Sequence, residues 1–219
     1  MKKTIAFFLL VLLMGTALYA RRSNDETVAN IGYTMPTTTA YDAEDADRYE
    51  KSLSNGIDVL FRNYKSGLFG TYIGFDILWP YEVKSFYKES KVSSVKYDDL
   101  YDVIHAYEVQ LGIYSPLLSL GMVRLPFGAG VKVSSQNAEI AGTVVSKTQT
   151  FNSLTLGVAL WGKAEVMLSE NIGIYAGVDL SYDFYQYQWT KVGSKETQNS
   201  QDKLKSFTFA PSLGVSVTF

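Results

Sequence analysis

Residues 206–219 read SFTFAPSLGVSVTF. The odd positions, Phe207, Phe209, Pro211, Leu213, Val215, Val217 and Phe219, are all apolar. The even positions, Ser206, Thr208, Ala210, Ser212, Gly214, Ser216 and Thr218, are all small or hydroxylated. Successive side chains of a β-strand point to opposite faces, so this segment carries one apolar face and one small polar face. It is also long enough for a tilted membrane-crossing strand, which needs about 9–11 residues.

The same alternation recurs upstream. It predicts strands over 27–35, 53–63, 68–78, 103–114, 122–134, 149–168 and 172–186, with 206–219 as the eighth. In the second, Leu53, Ile57, Val59 and Phe61 oppose Ser54, Gly56, Asp58 and Arg62. In the seventh, Ile172, Ile174, Val178 and Leu180 oppose Gly173, Gly177, Asp179 and Ser181. The connections alternate in length. Long ones fall near 37–52, 79–102, 135–148 and 187–205, and short ones near 64–67, 115–121 and 169–171. This pattern predicts an all-β fold, an eight-stranded antiparallel transmembrane up-and-down β-barrel with tight turns at one end and long loops at the other. An even strand number puts both termini at the short-turn end. Pro126 and Pro211 break the pattern, because a closed barrel has no edge to hide a missing N–H. A bulge, or a strand top above the membrane, is expected at Pro211.

The charges sort by face. Asp58, Arg62, Asp76, Glu108, Arg124, Lys132, Lys163, Glu165, Asp179 and Asp183 all lie on the polar side of their strands. Lys or Arg on a lipid-facing side at mid-depth costs about 2–4 kcal/mol. A membrane barrel therefore turns these residues into its lumen and its apolar residues to lipid; a soluble lipocalin-like barrel would do the reverse. An eight-stranded lumen is barely wide enough for side chains, so its charges are expected to pair. They would serve either as a structural plug or as a narrow, gated passage for small solutes. Glycines on the same face suit a crowded interior.

Composition narrows the choice of function. The 219 residues carry a net charge of −2 and no Cys. The charge gives no basic excess for nucleic acid, and the lack of Cys removes disulfides, thiolate chemistry and a lipid-anchoring cysteine. The 16 Tyr and 12 Phe fit interfacial aromatic girdles. Residues 1–20 read as a cleaved secretory signal peptide: Lys2 and Lys3, an apolar run from Ile5 to Leu13, then Gly15, Ala17 and Ala20. Residues 21–219 form the barrel. They contain no run of 18 apolar residues, so a membrane location requires a closed barrel.

Few constellations offer chemistry. Gly157 to Lys163 follows the spacing of a phosphate loop, but Ala164 stands where Ser or Thr would hold magnesium. The stretch also lies inside a strand. His105, the single histidine, is expected in the outer girdle beside Tyr107, with no serine placed to make it a catalytic base. The acidic run Asp42, Glu44, Asp45 and Asp47 lacks the central glycine of a calcium loop. No cofactor, metal or enzymatic activity is expected. The long loops carry Tyr81, Phe86, Tyr87, Tyr97 and Tyr101 among charged residues. These rings form either an adhesive face or an ordinary barrel rim.

The chain stops on Phe219, with Val217 two residues before it. This ending resembles the last strand of bacterial outer-membrane barrels, where a terminal Phe helps recruit the assembly machinery. Over residues 21–219 the alternation, the loop layout and Phe219 together resemble the small eight-stranded outer-membrane proteins, the OmpW, OmpX and OmpA-barrel group, and in style spirochaete barrels of this size. The resemblance implies residence in outer-membrane lipid, handling by periplasmic chaperones and the barrel assembly machinery, and a monomer. It covers structural barrels, narrow passive channels and surface-exposed adhesins alike, and less readily a lipid-modifying enzyme.

Overall fold

A computed structural model describes residues 26–42, 45, 47–64, 69–116, 119–140, 148–192, 195–199 and 205–219. The signal segment 1–20 and Glu44 lie outside them. Among the described residues no helix is long and apolar enough to cross a membrane, and the chain is built from strands. These are β1 (Glu26–Thr34), β2 (Thr37–Tyr41), β3 (Arg48–Tyr64), β4 (Gly70–Tyr87), β5 (Ser90–Lys96), β6 (Val103–Ser115), β7 (Ser119–Leu120), β8 (Val123–Arg124), β9 (Phe127–Ile140), β10 (Gln149–Met167), β11 (Ile172–Val192), β12 (Lys195–Asn199) and β13 (Lys205–Thr218).

Eight of them close a ring. Antiparallel pairing runs β1–β3–β4–β6–β9–β10–β11–β13, and β13 returns to β1 through Val28↔Thr218 to Thr34↔Ser212. Every consecutive pair is antiparallel, so the topology is up-and-down, and closure leaves no barrel strand with an unpaired edge. The last backbone N–H, that of Phe219, donates to Thr27 O, which holds the two ends of the ring together at the short-turn end.

The faces fall as the alternation requires. Leu213 is 65 % exposed and Leu160 57 %, and both point away from the lumen. Asn30, Asp58, Arg62, Lys132, Lys163, Glu165 and Ser216 are buried inside. On the outward face Ala29, Val59 and Phe61 pack together against Ile73 and are buried as well. In water this arrangement would expose the greasy surface and bury the charge; in hydrocarbon it is the stable one.

The long connections hold more strand than the alternation shows. The stretch 79–102, expected as a polar interruption, continues β4 to Tyr87 and returns as β5, so a hairpin stands above the barrel. Likewise β2 and the first residues of β3 fall within 37–52, β9 runs on to Ile140, and β11 reaches Val192 and pairs with β12. Beyond the bilayer both faces of a hairpin meet water. The apolar–polar contrast fades there while backbone pairing continues.

No bulge forms at Pro211. The register stays constant from Thr34↔Ser212 to Thr37↔Phe209. Met35 N donates to Pro211 O, 3.0 Å, so the missing proline N–H faces Met35, in the two-residue gap between β1 and β2. Pro36 occupies the same gap, and its carbonyl accepts from Ser54 N at 3.0 Å. Two prolines on neighbouring strands thus share one weak point in the ladder. Pro126 separates β8 from β9, while its carbonyl still accepts from Lys163 N at 3.0 Å. Among the described residues the register shifts lie at Leu53/Ser54 opposite β4, beside Pro80, at Ser85/Phe86 opposite β5, and at Leu156/Gly157 opposite β11.

Candidate functional site: a plugged lumen beneath an open vestibule

The lumen is filled in tiers. At the short-turn rim Arg124 pairs with Glu26. Above it Arg62 from β3 pairs with Glu165 from β10. Glu165 also accepts from Asn30 Nδ2 at 2.8 Å and from Ser216 Oγ at 3.2 Å. The Arg62 guanidinium lies 5.5 Å from the Tyr114 ring centre and 5.8 Å from that of Trp161. Tyr72 meets Trp161 edge-on at 5.3 Å, and Leu60 completes the packing.

The next tier is built on Asp58. Its Oδ2 accepts from Lys163 Nζ at 2.6 Å and from Tyr175 Oη at 2.8 Å, and the ammonium sits 4.3 Å over the Tyr175 ring. The uppermost tier centres on Lys132. It lies 3.3 Å from Glu108 and 3.0 Å from Asp183, and donates to Ser181 Oγ at 2.6 Å. Gln110 braces Glu108 at 2.9 Å, and Ser206 braces Asp183 at 2.8 Å.

Of the ten charged residues assigned to the lumen, eight form ion pairs. Asp76 and Asp179 form none among the described residues, so full pairing is not realised. Asp76 stands between Asp58 and Glu108 in the strand register, and Asp179 opposite Trp161, so neither faces a base in register, and Lys163, whose charge both feel, is bonded to Asp58. With six carboxylates against four bases on the polar face, some had to remain over.

Glycines make this density attainable. A Cβ on Gly112 would come within 2.1 Å of Ala129 O and 2.7 Å of the Tyr72 ring. One on Gly128 would meet the Trp161 indole at 2.6 Å, and one on Gly32 the Tyr175 hydroxyl at 2.2 Å. The Tyr72 and Trp161 rings therefore lie against a glycine of the next strand, and the Tyr175 hydroxyl reaches past β13 to Gly32 on β1. The sequence places these rings on the polar face without showing their role. The clue was available: large aromatics on the same face as glycines.

Above Lys132 the lumen opens into a vestibule of about 430 Å³. Its walls carry many hydroxyls and amides, among them Thr38, Ser52, Ser134, Gln136, Asn152, Thr155, Gln186, Gln188 and Thr208, beside apolar Leu78, Pro80 and Val83. Tyr97, Tyr101, Phe151 and Trp189 form an aromatic lip. Tyr97 and Tyr101 lie 6.0 Å apart and Tyr101 and Phe151 5.8 Å, and the Tyr97 and Ser52 hydroxyls are 3.3 Å apart. Burial raises both tyrosine hydroxyls above their ordinary pKa, so they stay neutral.

The five loop aromatics do not form one face. Tyr97 and Tyr101 turn to the vestibule. Phe86 stacks on Tyr49 at 4.8 Å beneath Lys51. Tyr87 lies beneath Arg48 and Lys88, and Tyr81 is exposed at the bulge of β4. Phe151 and Trp189, which complete the lip, come from stretches expected as strand start and loop. His105 lies 5.1 Å from Tyr107, with Asn137 across the strand, and no hydroxyl stands beside it in register. Gly157 to Lys163 is continuous strand within β10, without the turn that a phosphate loop needs. Phe219 is 61 % exposed at the short-turn end.

The fold is that of the small eight-stranded outer-membrane barrels. No family model and no curated protein matches the chain, but solved structures do. OprG, an outer membrane protein from Pseudomonas aeruginosa, superimposes with a TM-score of 0.56 at 10% identity, covering 90% of this chain and 97% of that one. The outer membrane protein AlkL, solved in lipid bilayers, gives 0.51 at 12% identity, covering 90% and 91%. Neisserial surface protein A gives 0.50 at 15% identity, covering 90% and 98%. At such identities the likeness is one of fold, and the side chains described above must carry any reading of function.

Proposed function

We propose that this chain is a structural outer-membrane barrel that does not conduct, and that it acts at its outer mouth by holding a ligand from outside the cell. The observation that carries this reading is the filled lower lumen. Arg62, Glu165, Asn30, Tyr72, Tyr114 and Trp161 are buried against one another beneath the Asp58 and Lys132 tiers, which separate them from the open vestibule. A passive channel needs a continuous wet path, and a tier of paired charge wedged between aromatic rings leaves a solute none.

The remaining expectations belong to the same proposal. Residues 1–20 direct export, periplasmic chaperones and the assembly machinery receive the chain through Phe219, and lipid covers the apolar belt. A closed ring has no edge on which to add a partner, which favours a monomer.

Single-channel recording of the refolded protein in planar bilayers tests the proposal. Silent insertions are expected, with incorporation shown by protease protection. Reproducible current steps would overturn the closed-lumen reading in favour of a narrow channel.

A further inference from the structure

The vestibule's walls define what it can hold. Its hydroxyls come in pairs across strands: Thr38 and Thr208 at 2.9 Å, and Ser134 with Thr155. A pair of hydroxyls has two hydrogens and uses one between its members, so each pair keeps a donor and several lone pairs for a guest. Gln136, Gln186 and Gln188 add amides that donate and accept. The wall therefore complements a molecule that is itself both donor and acceptor at many points. The charged residues are Glu50, Glu108 and Asp183 against Lys132, three carboxylates to one ammonium, and Lys132 is already held by two of them. An anion entering here gains no free cation and meets net negative charge. The lip offers ring faces, which pack against the C–H faces of a flat, polar guest.

We propose that the vestibule binds a neutral saccharide of one or two rings. The wall amides and hydroxyls meet the sugar hydroxyls, and Tyr97, Tyr101, Phe151 and Trp189 cover the sugar faces. A volume of about 430 Å³ lies within the usual range of small-molecule sites, and Lys132 with its two carboxylates stands in its lining. This inference rests on the outward-acting reading above and names its ligand class.

The test is a fluorescence titration of the protein refolded in phosphocholine micelles, since glucoside detergents would compete. Trp79→Phe removes the exposed outer indole, leaving Trp189 at the lip as reporter and Trp161 in the plug as a constant background. The probes are maltose and N,N′-diacetylchitobiose, with glucose 6-phosphate as the anionic control. Saturable binding of at least one neutral disaccharide is expected, with the anion weaker by at least about tenfold. Tyr97→Ala with Tyr101→Ala should weaken it by at least about tenfold, and Phe86→Ala on the outer hairpin should leave it unchanged. If the double alanine variant does not refold, Tyr101→Leu with Phe151→Leu keeps the apolar bulk and removes the ring faces. No saturation by either disaccharide at about 10 mM, equal binding of the anion, or indifference to both lip variants would overturn the proposal. Silent bilayers with no sugar binding would remove the saccharide and leave the closed barrel standing; current steps with sugar binding would do the reverse.

Discussion

Lys163 Nζ lies 2.6 Å from Asp58 Oδ2 although the two residues are 105 positions apart in the chain. Their strands, β10 and β3, are not neighbours in the ring, so this bond crosses the lumen. Both side chains are buried, and the Tyr175 hydroxyl completes the carboxylate.

Breaking that pair from one side leaves a charge without its partner. Asp58→Asn and Lys163→Met should each destabilise the folded barrel by about 3–5 kcal/mol, and the double variant should recover a large part of the loss. Urea unfolding in lipid vesicles, followed by tryptophan fluorescence, provides the double-mutant cycle. Additive losses would mean that the pair is not coupled.

The outward face should tolerate grease and reject charge. Leu160→Arg or Leu213→Arg should cost about 2–4 kcal/mol if the site lies near the bilayer midplane, whereas Leu→Ala at these exposed positions removes only lipid contact. A barrel stabilised, or left unchanged, by arginine at both sites would contradict lipid contact.

Two glycines should behave oppositely. Gly112 has Ala129 O, Gly130 Cα and the Tyr72 ring where its Cβ would go, so Gly112→Ala should cost about 1–3 kcal/mol through overpacking. Gly162 has nothing within 4 Å, so Gly162→Ala should stay within about 0.5 kcal/mol of the parent. The same unfolding assay reads both, and equal effects would refute the aromatic-on-glycine packing.

Deleting Phe219 should separate stability from biogenesis. Its described attachment is one backbone bond to Thr27, and its side chain is mostly exposed. Refolding into detergent should therefore be nearly unchanged, while accumulation in the outer membrane of expressing cells falls. Equal accumulation with and without Phe219 would remove it as an assembly signal.

The strands were legible because a barrel wall separates two solvents. At Leu213, Val215 and Phe209 the outside is apolar, and at Ser212, Ser216 and Thr208 the inside is crowded, so the side-chain period of two is written plainly. Above the bilayer that contrast vanishes, which is why β5, β12 and the upper part of β4 read as loop. The ten lumen charges were legible for the same reason, but not their partners. Alternation tells which way Lys163 and Lys132 point, and says nothing of what stands opposite them.

The sequence by itself determined the number of strands in the ring, the sorting of residues into two faces and the end of the barrel where the ring's first strand begins and its last one finishes, because those follow from local periodicity and connection length. Only the tertiary structure decided that Lys163 meets Asp58, that Lys132 bridges Glu108 and Asp183, that Asp76 and Asp179 form no ion pair among the described residues, and that Tyr97 and Tyr101 join Phe151 and Trp189 around one mouth. The physical reason is ring closure. The shear of the barrel sets which residues share a level across the lumen, and that quantity belongs to all eight strands together.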